Sequence, residues 1–160
     1  MHSAAWQHRH NGIQDRFVKA LPARLGTVHV NRRVPHSTSN LRPDIVVVNE
    51  DESRVIIVDV TVPFENEPQA LLQARETKKA KYAGIAEELR TQGYEATVDA
   101  LIVGALGSWD QNNEPVLRLC GISQRYAKLM RLLMCSDTIR WSRDIYVEHL
   151  TGTRQYAVGA

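Results

Sequence analysis

The stretch RPDIVVVNEDESRVIIVDVTVPFE, residues 42–65, decides the fold. Two apolar runs rich in valine and isoleucine, 45–48 and 55–62, lie on either side of the polar turn NEDES, which predicts two consecutive β-strands. Asp44 directly precedes the first run, and Asp59 lies within the second. A buried carboxylate destabilises a fold by several kcal/mol unless a partner or a metal compensates its charge. The two aspartates are therefore the first candidates for a functional site.

The sequence around this stretch predicts one α/β domain. Apolar residues recur at helical spacing in the first helix (Trp6, His10, Ile13, Phe17, Leu21) and on one face of the third (Ile122, Tyr126, Leu129, Leu133). Ser136 is a candidate cap for a separate last helix, which Gly152 would end. Helices are predicted at about 6–21, 68–93, 122–134 and 137–150, and strands at 27–30, 45–48, 55–62 and 96–103.

Length, composition and charge narrow the class of protein. The 160 residues suit a single domain, 1–160, divided into a leading helix (1–26), a core (27–108) and a C-terminal helical extension (109–160). The pI near 8.6 is below the value of about 9 that marks a dedicated nucleic-acid binder. No apolar run approaches the roughly 20 residues of a membrane span, which predicts a soluble, intracellular protein without a membrane partner. Cys120 and Cys135 lack metal-binding spacing, which predicts reduced thiols.

The long second helix carries a lysine on its apolar stripe. Successive residues of a helix are turned by about 100°, and Lys78 then lies at the centre of the stripe while Lys81 lies at its edge. A helix that packs this stripe on the sheet points the Lys78 ammonium toward the strands with Asp44 and Asp59. The apolar members of the stripe are Leu71, Ala74, Tyr82, Ile85 and Leu89.

Two carboxylates and a lysine together favour phosphodiester hydrolysis. Carboxylates hold a divalent metal, and a lysine orients the attacking water or stabilises charge on a phosphate. Each residue also has a purely structural explanation. Asp44 could pair with Arg42 or turn amides, Asp59 could form a buried salt bridge with Lys78, and the Lys78 ammonium could extend into water. The three residues taken jointly favour the functional interpretation.

Several segments resemble a known family of nuclease domains. RPD followed by an apolar run, then IIVDVTVPFEN, then ARETKKAKYAGIAEEL, resemble the restriction-like endonuclease domain at the C-terminus of site-specific non-LTR retrotransposon polyproteins that insert in ribosomal RNA genes. The flanking segments RHNGIQDRFVKALP, VDALIVGALGSWDQNNEPVLRL and RYAKLMRLLMCSDTIRWSRDIYVEHLTG are similar to the two ends of that domain. The resemblance covers essentially the whole chain.

The resemblance implies a PD-(D/E)xK restriction-endonuclease-like core, in which a mixed central sheet is flanked by helices and two C-terminal helices follow. It assigns Asp44 and Asp59 as ligands of Mg²⁺ or Mn²⁺, together with the Val60 backbone carbonyl. Thr61 stands where many such nucleases have their catalytic lysine. The catalytic lysine must therefore come from another element.

This family is similar in placing its lysine on the following helix, in a K..KY pattern. That pattern maps to Lys78, Lys81 and Tyr82. The assignment of Lys78 agrees with its position on the stripe, which was obtained from helical spacing alone. Lys81 and Tyr82 are expected either to contact the scissile phosphate or to pack.

Other residues are weaker candidates. Many relatives of this fold have an acidic metal-assisting residue on the first helix, where this chain has His10 and Gln14; His10 is predicted to be a core histidine. Glu65 is predicted to be a solvated loop residue, with a water-mediated metal contact as the alternative, and His29 is expected to be structural. Candidate phosphate contacts are Arg32, Arg33, Arg125, Lys128, Arg131, Arg140 and Arg143.

The predicted function is a metal-dependent DNA endonuclease that nicks target DNA and leaves a 3′-hydroxyl, which in the family primes reverse transcription. The resemblance implies double-stranded ribosomal DNA, the reverse-transcriptase portion of the parent polyprotein and, indirectly, the element RNA as partners, and the nucleus or nucleolus as location. Because no polymerase is encoded here, the chain is expected to be an excised domain or a fragment. The alternative is a nuclease-derived module that binds nucleic acid or protein without cleavage.

Overall fold

Four α-helices and four strands are the main elements of the part of the chain that the computed structural model describes, residues 4–153. The ends of the predicted domain, 1–3 and 154–160, lie outside the described residues. No helix within 4–153 is long and apolar enough to cross a membrane. The elements are α1 (Ala4–Ala20), β1 (Thr27–Val30), β2 (Ile45–Asn49), β3 (Arg54–Thr61), α2 (Ala70–Thr91), β4 (Glu95–Ile102), α3 (Asn113–Leu119) and α4 (Gln124–Thr151).

The four strands form one mixed sheet in the order β1-β2-β3-β4. β1 pairs antiparallel with β2 through the long connection 31–44, and β2 pairs antiparallel with β3 through the short turn 50–53, whereas β3 and β4 are parallel. A parallel pair requires a long crossover, and α2 provides it. The predicted class is confirmed: a mixed α/β fold with a central sheet between helices.

Alternating side chains of the strands build two separate cores. On one face, Val58 and Val60 of β3 pack with Phe17 of α1 and Met130 and Met134 of α4. On the opposite face, the neighbouring β3 residues pack against α2. Because side chains alternate along a strand, Asp59 points to the α2 face, between Val58 and Val60. This alternation brings Asp59 beneath α2.

The predicted division of the C-terminal segment into two helices is wrong. α4 runs without a break through Ser136, and its N-cap is Ser123, whose hydroxyl accepts a hydrogen bond from the Tyr126 amide. Ser136 is exposed in the helix interior, where a serine destabilises the helix only slightly. The end at Gly152, in the left-handed conformation with φ 70°, is as predicted.

Two further expectations for this region need correction. The short helix α3 was not predicted. Its seven residues include a proline and complete only about two turns, which are too few to show a helical repeat in the sequence. The predicted face of the third helix is also not the buried one, since Tyr126 and Leu129 are exposed while Ala127, Met130 and Met134 are buried. Cys120 and Cys135 are free, as predicted.

Arg75 of α2 is buried and forms hydrogen bonds with the edge strand β4. Its guanidinium donates to the Asp110 carboxylate at 3.0 Å, to Asn113 Oδ1 at 2.7 Å, and to Asp99 and the Ala100 carbonyl. β4 is an edge strand, so the Ala100 carbonyl has no strand partner on that side. Arg75 therefore supplies a donor that the sheet itself does not.

Asn113 of α3 also forms hydrogen bonds with the backbone of β4. Its side chain accepts from the Ile102 amide at 2.9 Å and donates to the Ile102 carbonyl at 2.7 Å, as a neighbouring strand would. Asn113 also accepts a hydrogen bond from Arg75. The Arg75–Asp110–Asn113 network thus links α2, the edge of β4 and α3.

Replacing Arg75 with leucine is expected to lower the free energy of unfolding by about 3 kcal/mol or more, because it leaves the buried Asp110 without its cation. Urea denaturation followed by circular dichroism measures the change. Lys79→Leu, at an exposed position of the same helix, is the matched control and should shift stability by no more than about 0.5 kcal/mol. Equal effects of the two substitutions would contradict a stabilising role for the network.

Candidate active site

Asp44 and Asp59 lie together where the pairing of β2 with β3 ends. The last paired residues are Ile45 and Val58, so the two aspartates are the next residues on each strand. The Asp44 amide donates to Asp59 Oδ1 at 2.8 Å, and the Val60 amide donates to Asp44 Oδ2 at 2.8 Å. The aspartate side chains thus accept backbone hydrogen bonds at the point where the β2–β3 ladder ends. These two hydrogen bonds fix both carboxylates at the same end of the sheet.

Lys78 completes the cluster from α2. Its Nζ lies 2.7 Å from Asp59 Oδ2. The Asp59 side chain is only 4% exposed, whereas the Lys78 side chain is 25% exposed. The structure therefore places the two acids and the lysine together, and the ammonium lies between a buried carboxylate and solvent. Such an ammonium can contact both the acid and a bound substrate.

His10 of α1 also reaches this site, and the prediction of a core histidine is wrong. Its side chain is partly exposed, and Nε2 lies 3.1 Å from Asp44 Oδ2. The predicted alternatives for Asp44 included a pair with Arg42, but its contacts are with His10 and the Val60 amide instead. Gln14, one turn further along α1, is buried.

The electrostatics of the two carboxylates differ. Burial raises the pKa of Asp59, and the neighbouring Asp44 charge adds to the rise, although Lys78 opposes it. Burial would also raise the pKa of Asp44, but the hydrogen bonds from His10 and the Val60 amide hold it below its ordinary value. The hydrogen bond to Asp44 raises the pKa of His10. Two adjacent acids in a poorly solvated place favour a bound cation.

The site offers hard oxygen atoms of the type that Mg²⁺ binds. The Val60 amide faces Asp44, so the Val60 carbonyl faces the same edge of β3. Continuing the register places Pro43 opposite Val60, and proline has no N–H with which to satisfy that carbonyl. The carbonyl and the two carboxylates therefore fit the chemistry of the ion.

A fuller metal cluster is not present in residues 4–153, where no group of three or more His, Cys, Asp or Glu side chains has ligating geometry. Mg²⁺ usually keeps several waters and takes one or two carboxylates together with phosphate oxygens of a substrate. Two aspartates and one carbonyl are in keeping with that preference.

The two other residues of the K..KY pattern take different positions. Tyr82 is buried beneath the site, and burial, together with the charges of Asp59 and Asp44, raises the pKa of its phenol. Lys81 is exposed, and its Nζ lies 5.3 Å from the centroid of the Tyr82 ring. Tyr82 therefore packs against the carboxylates, whereas Lys81 faces solvent.

Glu65 is neither a free loop residue nor a member of the carboxylate cluster. Its carboxylate accepts hydrogen bonds from the Leu106 amide at 3.1 Å, the Ser108 amide at 3.3 Å and the Ser108 hydroxyl. A Cβ at Gly104 would lie 1.5 Å from Glu65 Oε1, so a larger residue there would displace the Glu65 carboxylate. Glu65 thus joins the loop after β3 to the loop after β4, and the prediction of a solvated loop residue is wrong.

The candidate phosphate contacts are dispersed. Arg32, Arg33, Arg125 and Lys128 are exposed, and Arg33 donates to the Ser39 carbonyl. Arg131 forms a salt bridge of 2.9 Å with Glu114, and Arg143 forms one of 2.9 Å with Asp144. Arg140 lies over the Trp141 ring. Arg33, Arg131, Arg140 and Arg143 thus have partners within the chain. His29 lies half-buried on β1.

No protein-family model matches the chain, and no curated protein matches it. Among solved structures, the fold is similar to that of an N-terminal domain of a reptarenavirus L protein, with 12% sequence identity and a TM-score of 0.45. The match covers 85% of this chain and 76% of that one. A similarity of this size is too low to indicate a shared function. What the fold and the site define is a mixed α/β protein with a carboxylate–lysine cluster at one end of its sheet.

Proposed function

We propose that this chain is a divalent-metal-dependent DNA endonuclease. The observation that carries the proposal is the meeting of Asp44, Asp59 and Lys78 from three separate elements, within hydrogen-bond distance of one another or of a shared neighbour. A pair of buried acids destabilises the fold unless its charge is compensated. A bound metal ion would neutralise both acids. Phosphodiester hydrolysis uses such a pair with a lysine.

The proposed chemistry assigns a role to each residue. Asp44, Asp59 and the Val60 carbonyl would hold Mg²⁺ or Mn²⁺, which when bound polarises a phosphate and acidifies a water. Lys78 would exchange its contact with Asp59 for one with the phosphate and offset the negative charge that develops there. His10 would keep Asp44 in place through its hydrogen bond. In-line attack of water on phosphorus would break its bond to O3′, leaving a 5′-phosphate on one strand end and, once O3′ takes up a proton, a 3′-hydroxyl on the other.

The biological setting is proposed from the sequence resemblance alone. A retrotransposon nuclease would nick double-stranded ribosomal DNA, and the 3′-hydroxyl would prime reverse transcription by the polymerase portion of the same polyprotein on the element RNA. The nucleus or nucleolus would be the site of action.

One observation favours the second candidate, a binding module without nuclease activity. The contact of Lys78 with Asp59 neutralises one acid without a metal, and His10 forms a hydrogen bond with Asp44. A module of this kind would bind DNA equally well with and without Mg²⁺. Metal dependence therefore separates the two candidates.

Nicking of a supercoiled plasmid tests the proposal directly. We expect conversion to open circles in Mg²⁺ or Mn²⁺ and none in EDTA, and a plasmid with a ribosomal DNA insertion site should be cut faster if the proposed setting is correct. Ligation of the products after the reaction checks for a 3′-hydroxyl. DNA binding without any cleavage in either metal would contradict the nuclease and support the binding module.

A further inference from the structure

The outer face of α4 carries a continuous row of exposed apolar side chains. Leu129, Leu132, Ile139, Tyr146 and Leu150 are each between 49% and 64% exposed. With a turn of about 100° per residue, all five fall within a sector of roughly 100°, together with Ser136 and Arg143. We call these seven residues the outer stripe.

The outer stripe lies opposite the buried side of the helix. Ala127, Met130, Met134 and Thr138 are buried and define the face of α4 that points to the interior. Their directions differ from the centre of the stripe by about 130° to 170° at helical spacing. α4 is therefore apolar on two opposite faces. Such a helix is normally covered on both sides, and an exposed patch of this size marks an interaction surface.

The order of residues in the outer stripe indicates what covers it. Ile139 is at the centre, and Leu132 and Tyr146 lie seven residues before and after it. Leu129 and Leu150 lie ten and eleven residues away, and polar Ser136 and Arg143 lie between. The stripe is thus nearly the same in both directions. A surface of this kind is complementary to itself about a two-fold axis, as a symmetric dimer requires.

We propose that two copies of this chain associate through the outer stripes of antiparallel α4 helices. The two-fold axis passes near Ile139, which contacts its own counterpart. The end of the stripe with Leu129 and Leu132 contacts the partner's end with Tyr146 and Leu150, and each Ser136 faces an Arg143. The proposal is independent of the nuclease activity.

The area of the stripe suits a dimer of modest stability. Its five apolar side chains expose roughly 600 Å² per copy, taking about 200 Å² for a fully exposed side chain of this size, so a dimer would bury about 1,200 Å². That value is at the lower end of the range for specific interfaces. The area is therefore large enough for a specific dimer.

The outer stripe borders the end of the sheet at which β3 and β4 finish. Ile139 approaches Gly107 in the loop after β4, and Ile139, Arg143 and Tyr146 line a groove with Phe64 of the loop after β3. The buried face of α4 packs with α1 on the side of the sheet opposite α2.

Sedimentation velocity across a concentration series is the test. We expect the wild-type chain to shift from monomer to dimer, and Ile139→Glu to remain monomeric because it places two carboxylates together at the axis. Leu132→Glu is the second variant, since Ile139 also touches the loop at Gly107. Leu72→Glu, at a similarly exposed leucine of α2, should dimerise normally. Circular dichroism shows whether each variant is folded.

Oxidative cross-linking tests the position of the axis. In a Cys135→Ser background, Ile139→Cys should form a disulfide with its own counterpart, whereas Leu129→Cys should do so only when mixed with Leu150→Cys. A wild-type chain that stays monomeric throughout the series would overturn the proposal. A dimer that persists in both folded glutamate variants, or cross-links equally from Leu129→Cys alone, would also overturn it.

Discussion

Replacing Asp59 with asparagine is expected to reduce the rate of metal-dependent nicking by about 1,000-fold or more, which corresponds to about 4 kcal/mol of transition-state stabilisation. The amide preserves the shape of the side chain and can still accept the hydrogen bond from the Asp44 amide. It removes one of the two negative charges that would hold the metal. Single-turnover nicking in Mg²⁺ measures the effect.

The same substitution should leave the fold intact. Burial already disfavours the charged form of Asp59, and Lys78 is exposed enough to remain hydrated without it. Asp51→Asn, in the exposed turn between β2 and β3, is the matched control and should nick at the wild-type rate. DNA binding in EDTA should be unchanged or stronger, since a negative charge is lost. Wild-type nicking by a folded Asp59→Asn protein would rule out the proposed metal site.

The strands that carry the acids could be predicted because local and tertiary preferences agree there. The valine-rich runs on either side of NEDES favour strands by composition, and burial on both faces of the sheet requires the same residues. Lys78 could be placed because a long helix has one register, and its apolar stripe fixes which residues face the sheet. The positions of Asp59 and Lys78 follow from these two facts.

The parts that could not be predicted depend on contacts distant in the chain. His10 has no local feature that separates a core histidine from one that faces Asp44, 34 residues away. Arg75 appears as one more charge on a charged helix, and its burial becomes evident only when Asp110 and Asn113 are known to pack beside it. An arginine next to an apolar stripe, with one acid in the next strand (Asp99) and another after it (Asp110), was the available signal.

α4 shows a different limit of sequence reasoning. Ser136 followed by Asp137 has the composition of a helix start, yet no glycine or proline interrupts 124–151. Because no helix-breaking residue is present, packing against α1 determines the structure here, and the helix continues through Ser136. Because α4 is apolar on two faces, periodicity identified a stripe of Tyr126 and Leu129 that is exposed. A pattern of hydrophobicity cannot show which of two apolar faces is internal.

Replacing Lys78 with methionine is expected to lower nicking by about 1,000-fold, because it removes a positive charge from a poorly solvated site where a phosphate would gain negative charge. Methionine keeps the length and apolar packing of the side chain on α2. The matched control is Lys81→Met, whose ammonium faces solvent, and its rate should fall by no more than about 3-fold. Rates are measured at saturating DNA, so that altered binding does not contribute.

A metal titration shows why the rate changes. Mn²⁺ binding to Lys78→Met, followed by calorimetry, should be as tight as to the wild type or tighter, because both aspartates remain and Lys78 no longer competes for Asp59 Oδ2. Mn²⁺ binding to Asp59→Asn should be lost. If Lys78 were only the structural partner of Asp59, Lys78→Met would lower the free energy of unfolding without affecting the rate of the folded protein. Equal losses of activity in Lys78→Met and Lys81→Met would instead mean that both lysines attract DNA by charge, and Lys78 would have no specific role at the scissile phosphate.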